Sequence, residues 1–332
     1  MAEIKQVAVI GAGVMGASIA AHIANSGTPV LLLDIVPEGA KSRNAVAEGA
    51  VAKMLKTDPA PFMNKRAANL ITCGNIEDDM GKLADCDWIV EAVIERLDIK
   101  QNLYHKIDEV RKAGSVVSSN TSTIPLATLI EGMPASFASD FIITHFFNPP
   151  RYMRLLELVS SGETNDGVVD MVAAFADEKL GKTCVVCHDK PGFIANRLGV
   201  YWIQAAMIEA MDAKLTVEEA DSVIGRPFGI PKTGVFGLMD LVGLDLMPHV
   251  QSSMAGALPK SDPFHAIYRE SELVSKLIAD GYTGRKGKGG FYRLNRENGG
   301  KVKESVNLET GEFAKSEKAR LESVKAAGKS PL

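Results

Sequence analysis

The chain has 332 residues, 46% of them hydrophobic, 23% charged and 6% aromatic, enough for two domains of common size and a core without disulfide or metal staples. Thirty-seven Lys and Arg against 41 Asp and Glu leave a net charge of −4, spread along the chain with no basic stripe, so no nucleic-acid partner is expected. Collagen-like, disordered and disulfide-scaffold classes are excluded by the same composition.

Met1-Ala-Glu-Ile-Lys-Gln runs directly into an apolar strand pattern, and no export signal is read there. Val7-Ala-Val-Ile10 is a continuous apolar run, as a strand buried on both faces requires. A helical pattern follows from Met15 to Asn25, with Gly27 placed to stop it. Val30 to Leu33 is the next strand, and Ala40 to Leu55 the next helix. Strands continue at Ile71–Cys73, Trp88–Ala92, Ser115–Ser118 and Phe141–Thr144, with two more at Leu155–Val159 and Thr183–Val186. Segments between them, such as Ile99 to Lys112, read as amphipathic helices. This alternation is the pattern of βαβ units, so the expected fold is an α/β, Rossmann-like doubly wound domain over residues 1–189.

At Asp189-Lys-Pro-Gly192 the pattern changes to helices, giving an all-α C-terminal domain over 190–293. Phe193 to Met211 is nearly apolar but carries Asn196, Arg197, Gln204 and Glu209, so it reads as a buried helix and not a membrane span. Residues 294–332 are dominated by Lys, Glu, Gly and Ser and read as a polar tail or linker without a core. Four cysteines without an export signal point to free thiols and a cytoplasmic setting.

Gly11-Ala-Gly-Val-Met-Gly16 lies between the first strand and the first helix, and Asp34 closes the second strand. In that context the glycines allow a tight turn, close approach of a pyrophosphate and close helix–strand packing. The helix N-terminus adds unpaired N–H groups toward the phosphates. Asp34 can accept hydrogen bonds from the ribose hydroxyls and would repel a 2′-phosphate, so NAD is expected rather than NADP.

His145 ends a strand in Thr144-His-Phe-Phe-Asn-Pro-Pro150, and Glu157 lies on the strand after it. A chain reversal around Arg151 sets positions 145 and 157 opposite each other. Glu157 can then fix the imidazole tautomer and stabilise its protonated form, while the imidazole removes a hydroxyl proton.

These stretches, with Val90-Glu-Ala-Val-Ile-Glu95, Ser119-Asn-Thr-Ser-Thr123 and Lys190-Pro-Gly-Phe-Ile-Ala-Asn-Arg197, resemble the L-3-hydroxyacyl-CoA dehydrogenase family of fatty-acid β-oxidation over roughly residues 4 to 293. The resemblance implies His145 as general base, Glu157 as its orienting partner, and Ser122 and Asn196 as polar contacts to substrate. It also implies an NAD site formed by Gly11, Gly13, Val14, Met15 and Gly16 with Asp34, Ala92, Glu95, Lys100, Ser122 and Asn148. By itself Lys100 opens a surface-like helix, and Ser122 or Thr123 could equally cap the helix after Pro125. Lys53 and Lys56 either meet coenzyme A phosphates or form a solvated helix face.

Two other readings share most of these residues: a dehydrogenase of a free hydroxy acid, of the L-gulonate or lambda-crystallin type, and a catalytically silent NAD-binding structural protein. Arg151–Val159 and Gly289–Arg296 resemble the fused bacterial dehydrogenase/hydratase relatives more than the short mitochondrial type. The implied partners are an acyl-CoA substrate and either a second copy in a homodimer or an intramolecular pseudo-dimer within a longer fused chain. Cys184-Val-Val-Cys187-His188 has a haem- or zinc-like spacing, but residues three apart on a strand point to opposite faces, so no metal is expected. Gly284-Arg-Lys-Gly-Lys-Gly-Gly-Phe-Tyr292 is P-loop-like in composition only and reads as a solvated turn, with Lys286 a remote candidate for the cofactor.

Overall fold

The first strand, β1 (Val7–Ile10), divides its four apolar side chains between two cores: Val7 and Val9 enter one, Ala8 and Ile10 the other. This requires helices on both sides, and a computed structural model of the chain shows them; it describes residues 3–230, 232–296 and 300–327. The chain divides between Ile194 and Ala195 into two units.

In the first unit β1 is joined by β2 (Val30–Asp34), β3 (Ile71–Asn75), β4 (Trp88–Glu91), β5 (Val116–Ser119), β6 (Phe141–Phe146), β7 (Leu155–Val159) and β8 (Thr183–Cys187). The strand order is β3-β2-β1-β4-β5-β6-β7-β8, and every neighbouring pair is parallel except β6 and β7. Helices α1 (Val14–Asn25), α2 (Ala45–Met54), α3 (Leu97–Val110), α4 (Leu126–Leu129), α5 (Ala135–Ser139) and α6 (Asp166–Leu180) cover the sheet. Ile19 and Ile23 of α1 pack with Val172 and Phe175 of α6 on one face, while Tyr104 and Ile107 of α3 pack with Phe137 and Phe141 on the other. This is the doubly wound, Rossmann-like arrangement expected from the strand pattern. Helix α2 starts at Ala45, later than its sequence pattern suggests, and ends before Lys56.

The second unit is helical, as expected, with α7 (Ala195–Asp212), α8 (Val217–Val223), α9 (Gly234–Val242), α10 (Met247–Ala257), α11 (Phe264–Ile267), α12 (Glu272–Ala279) and α13 (Glu322–Ala327). Its core gathers Met207, Val217, Phe236, Met239 and Phe291. The buried Gln204 amide, inside the apolar face of α7, donates to the Arg269 carbonyl at 2.9 Å. Among the described residues, no helix is long and apolar enough to cross a membrane.

Two expectations are corrected. The helix read from Phe193 begins at Ala195, because Phe193 sits at φ 48, in the left-handed region. The residues before it stay with the first unit: the Asp189 carboxylate accepts from the Leu126 and Ala127 amides, and the Ile194 amide donates to Glu157. The stretch read as a polar tail is also structured over much of its length. Residues Tyr292–Asn295 (β9), Val302–Val306 (β10) and Phe313–Lys315 (β11) form an antiparallel sheet in the order β11-β10-β9. Val306 and Leu308 insert into the helical core, and the Ser305 hydroxyl donates to Glu218 at 2.6 Å. A three-stranded sheet with one face against a preformed core needs few apolar residues, so its composition still reads as polar.

Candidate active site

The strand order reverses between β1 and β4, and open α/β sheets form a crevice at such a point, beyond the carboxyl ends of the strands. Here a cavity of about 540 Å³ opens there, lined on one side by Gly13, Val14 and Met15 and on the other by Ala92, Glu95 and His145. The two strands approach closely. A Cβ on Gly11, whose φ is +103, would stand 2.5 Å from the Ala92 carbonyl oxygen, and one on Gly16 would overlap the Gly11 carbonyl. Gly13 differs: nothing lies within 4 Å of its missing Cβ, and it leads into α1 without a side-chain cap. Open space before uncapped amides fits a bound pyrophosphate.

Asp34, at the end of β2, accepts hydrogen bonds from the Ala12 amide within the glycine loop and from the Ile35 amide at 2.6 Å. Each carboxylate oxygen retains a lone pair, so the residue orders the loop and can still receive ribose hydroxyls.

Behind the cavity lies a buried charge network. Lys100 is 1% exposed, not the solvated lysine its sequence context suggests. Its ammonium donates to Glu91 at 2.7 Å and pairs with Glu95 at 3.2 Å. The Tyr104 and Ser119 hydroxyls each donate to the other Glu91 oxygen at 2.7 Å. Burial acts to raise the Glu95 pKa, but Lys100 and the Thr121 and Thr123 hydroxyls outweigh it and hold the carboxyl below its ordinary value. Glu95 also accepts from the Ser122 amide at 3.2 Å, so one carboxylate shapes the whole 121–123 loop. Ser122 and Asn148 line the cavity. Asp189, not Ser122 or Thr123, satisfies the amides at the start of α4.

The antiparallel β6–β7 pair sets His145 opposite Glu157. Nδ1 of His145 lies 2.8 Å from Oε2 of Glu157, whose side chain is fully buried. An ionised carboxylate makes Nδ1 the donor and leaves Nε2 as the free base. Glu157 also accepts from the Ile194 amide at 3.0 Å, and the rings of Phe147 and Phe193 meet the imidazole edge-on, with centroids 4.5 and 5.6 Å away. The ring is therefore fixed in position, tautomer and surroundings.

The turn joining the two strands is braced from outside. Lys182, 2% exposed, donates to the Met153 carbonyl at 2.6 Å and to the Pro150 carbonyl, and burial lowers its pKa to about 8. Arg151 donates to the Ala60 and Phe62 carbonyls at 2.6 and 3.1 Å.

Lys53 and Lys56 are exposed, at and just beyond the end of α2, and Asn196 belongs to the second unit, in the first turn of α7. Lys286 is likewise in the second unit, paired with Asp245 at 2.8 Å. Cys184 and Cys187 send their side chains to opposite cores of the sheet, and burial pushes each thiol up to about 11. Sequence reasoning passed over Glu91, Asn120 and Phe193. Asn120 lines the cavity and accepts from the Phe146 amide at 2.9 Å. Glu91 ends an apolar strand, where a charge demands a partner, and that was the available signal. Nothing in the local sequence marks Phe193 as left-handed.

Residues 6–190 match the family described as 3-hydroxyacyl-CoA dehydrogenase, NAD binding domain, and residues 192–294 match its C-terminal domain. The chain is 44% identical to a putative fatty acid oxidation complex trifunctional enzyme of Rickettsia prowazekii over 92% of its own length, yet spans only 42% of that protein. It is also 44% identical to a probable 3-hydroxyacyl-CoA dehydrogenase of Deinococcus radiodurans, covering 89% of this chain and 84% of that one. The crystal structure of (S)-3-hydroxybutyryl-CoA dehydrogenase from Ralstonia eutropha superimposes with a TM-score of 0.70 at 29% identity, covering 87% of this chain and 98% of that chain.

Proposed function

Because the chain belongs to the 3-hydroxyacyl-CoA dehydrogenase family and its first unit is that family's NAD-binding domain, we propose that it oxidises an L-3-hydroxyacyl-CoA to the 3-ketoacyl-CoA, a step of fatty-acid β-oxidation. The observation that carries this reading is the buried His145–Glu157 pair, at 2.8 Å, on the rim of the glycine-loop cavity.

NAD, when bound, supplies the acceptor for the hydride lost from carbon 3 of the substrate. The glycine loop and the uncapped start of α1 hold its pyrophosphate, and Asp34 receives its ribose hydroxyls. Nε2 of His145 takes the proton of the substrate hydroxyl. Glu157 holds Nδ1–H and balances the imidazolium that forms, which lowers the cost of that transfer. Ser122 offers a hydroxyl at the cavity wall, and Asn196, in the first turn of α7, is offered as a polar contact to the substrate. Lys100 and Glu95, paired at 3.2 Å, form part of the cavity wall. Lys53 and Lys56 are offered as contacts to coenzyme A phosphates, supported by their exposure and lack of an ion pair among the described residues.

The helical unit exposes Leu198, Phe228, Leu241 and Leu246, which supports pairing with a second helical unit, from another copy or from a longer chain. The four free thiols support a reducing, cytoplasmic setting.

Initial rates with acetoacetyl-CoA and NADH test the reading against a panel of free keto and hydroxy acids. Turnover confined to the CoA esters is expected. Turnover confined to free acids would reassign the substrate, and no turnover with NADH bound would leave a structural protein. A preference for NADPH would overturn the role of Asp34.

A further inference from the structure

The largest cavity described in the second unit has no part in the chemistry above. It measures about 1070 Å³ and lies between the glycine-rich segment 284–290, the strand β9 and the residues preceding α9. Six basic side chains line it: Lys232, Arg285, Lys288, Arg293, Arg296 and Lys303. Among the described residues that line it, two are acids, Asp221 and Asp240, in a chain whose net charge is −4.

Neither acid is in ion-pair contact with a cation among the described residues, although the charge of Lys303 acts on Asp221 and that of Arg285 on Asp240. Asp221 accepts from the Phe236 and Gly237 amides at 2.7 and 3.1 Å and from the Tyr292 hydroxyl at 2.9 Å. Asp240 accepts from the Phe291 and Tyr292 amides at 2.7 and 2.9 Å. Arg293 is neutralised by Glu304 at 2.7 Å. Among the described residues, the other five cations form no ion pair, although they come from four separate places along the chain. Like charges gathered around one concavity repel one another until an anion enters.

The volume is about twice that of the glycine-loop cavity and far beyond what one phosphate needs. Cations spread over several elements suit several anionic groups on one scaffold. Leu294 adds an apolar side chain for the organic part of such a ligand, while the Tyr292 ring carries the Lys303 ammonium 3.8 Å from its centroid. We propose that this cavity is a second ligand site, which binds a nucleotide carrying a pyrophosphate group. It belongs to a different unit from the glycine loop and does not depend on the dehydrogenase reading. It also gives a role to the Gly284–Gly290 segment, which a solvated turn leaves without one.

The test is calorimetric titration of the full chain, first saturated with NADH so that the glycine-loop site is filled. The probes are inorganic pyrophosphate, ADP and CoA, at two salt concentrations. ADP or CoA should bind saturably, at least about tenfold more tightly than pyrophosphate, and more weakly at high salt. The double variant R285A/K288A, at two exposed positions, should lose at least about tenfold in that affinity while its thermal unfolding stays unchanged. A preference for CoA over ADP that the double variant abolishes identifies a 3′-phosphorylated ligand at this cavity, and equal binding a simple diphosphonucleotide; a CoA preference that the variant leaves intact belongs to the substrate place near Lys53 and Lys56. Absence of saturable binding, or affinity that survives the double variant, overturns the proposal. Pyrophosphate binding as tightly as ADP removes the nucleotide from it. Saturable binding of hexaglutamate in place of the three phosphate probes reassigns the cavity to an acidic protein partner.

Discussion

The two units bury charge in opposite ways. In the first, each buried ionised group meets another side chain or a set of carbonyls: Glu91 meets Lys100, Glu157 meets His145, and Lys182 reaches two backbone oxygens. In the second, Asp221 and Asp240 sit on backbone amides with no cation in ion-pair contact among the described residues, and burial pushes both up to about 6. Amides can order a carboxylate without matching its charge. Burial with a partner keeps a group ionised and aimed, which suits proton transfer; burial on amides fixes a loop and leaves the charge costly. The buried groups of the first unit are held by opposite charge or carbonyls, and the acids of the second by the amides of the chain they hold in place.

The widest test of that contrast is His145→Gln. It should lower kcat by about 10²- to 10⁴-fold while NADH still binds, measured by turnover and by fluorescence titration. Turnover near that of the native protein would remove His145 from the reaction and leave its pairing merely structural. Next comes Lys100→Met, which strands Glu91 as an unpaired buried carboxylate. A loss of about 3–5 kcal/mol of stability is expected in denaturant titration. A loss under about 1 kcal/mol would mean that Tyr104 and Ser119 suffice for Glu91, and the two units would no longer differ.

Glu157→Gln should cost about ten- to a hundredfold in kcat, less than His145→Gln, with the pH–rate profile displaced because the imidazolium loses its counter-charge. An unchanged profile would make Glu157 a packing residue. Asp240→Asn turns an acceptor toward an N–H donor and should cost about 1–3 kcal/mol of stability with turnover retained. Lost turnover without lost stability would bring Asp240 into the chemistry.

The smallest effect is in pH dependence, and it has opposite signs in the two units. Burial, then the charge of Lys182, lowers the His22 pKa to about 4, so the unfolded chain binds the proton more readily. That contribution is present above the ordinary histidine value and is lost as pH falls from about 6.5 to 4. Asp221 and Asp240 are raised, so their protonated forms favour the folded state: stability from them is present below the ordinary carboxylate value and lost as pH rises through about 6. Hydrogen exchange, corrected for intrinsic rates, should therefore show protection in α1 falling and in α9 rising as pH is taken from 7 to 5. Parallel changes in both helices would break the comparison.

The same contrast explains what could be read in advance. Strands such as Val7–Ile10 and helices such as Val14–Asn25 are carried by apolar periodicity, which survives in composition, and so the eight-stranded sheet was legible. His145 and Glu157 were legible because their spacing about a turn is a local property. The burial of Lys100 was not, since its partner Glu91 lies nine positions back, on a strand, and no helical period connects them. Phe193 escaped for a related reason: its backbone angle is enforced by what Asp189 and Ile194 bond to, far away in sequence. The strands β9 to β11 were missed because Val306 and Leu308 borrow a core made by other residues.

The single antiparallel pairing in the main sheet has a consequence for assembly. His145 and Glu157 are 12 positions apart, whereas Asp189 crosses 63 positions to reach Leu126. Closing a short hairpin costs less chain entropy than closing a long loop, by about 0.6 kcal/mol for each doubling of length. The pairing of His145 with Glu157 is thus set by one hairpin, and the more distant Ile194 amide adds to it. What the hairpin needs from outside is small in number: the Lys182 ammonium for its Met153 carbonyl, and the Ala60 and Phe62 carbonyls for its own Arg151.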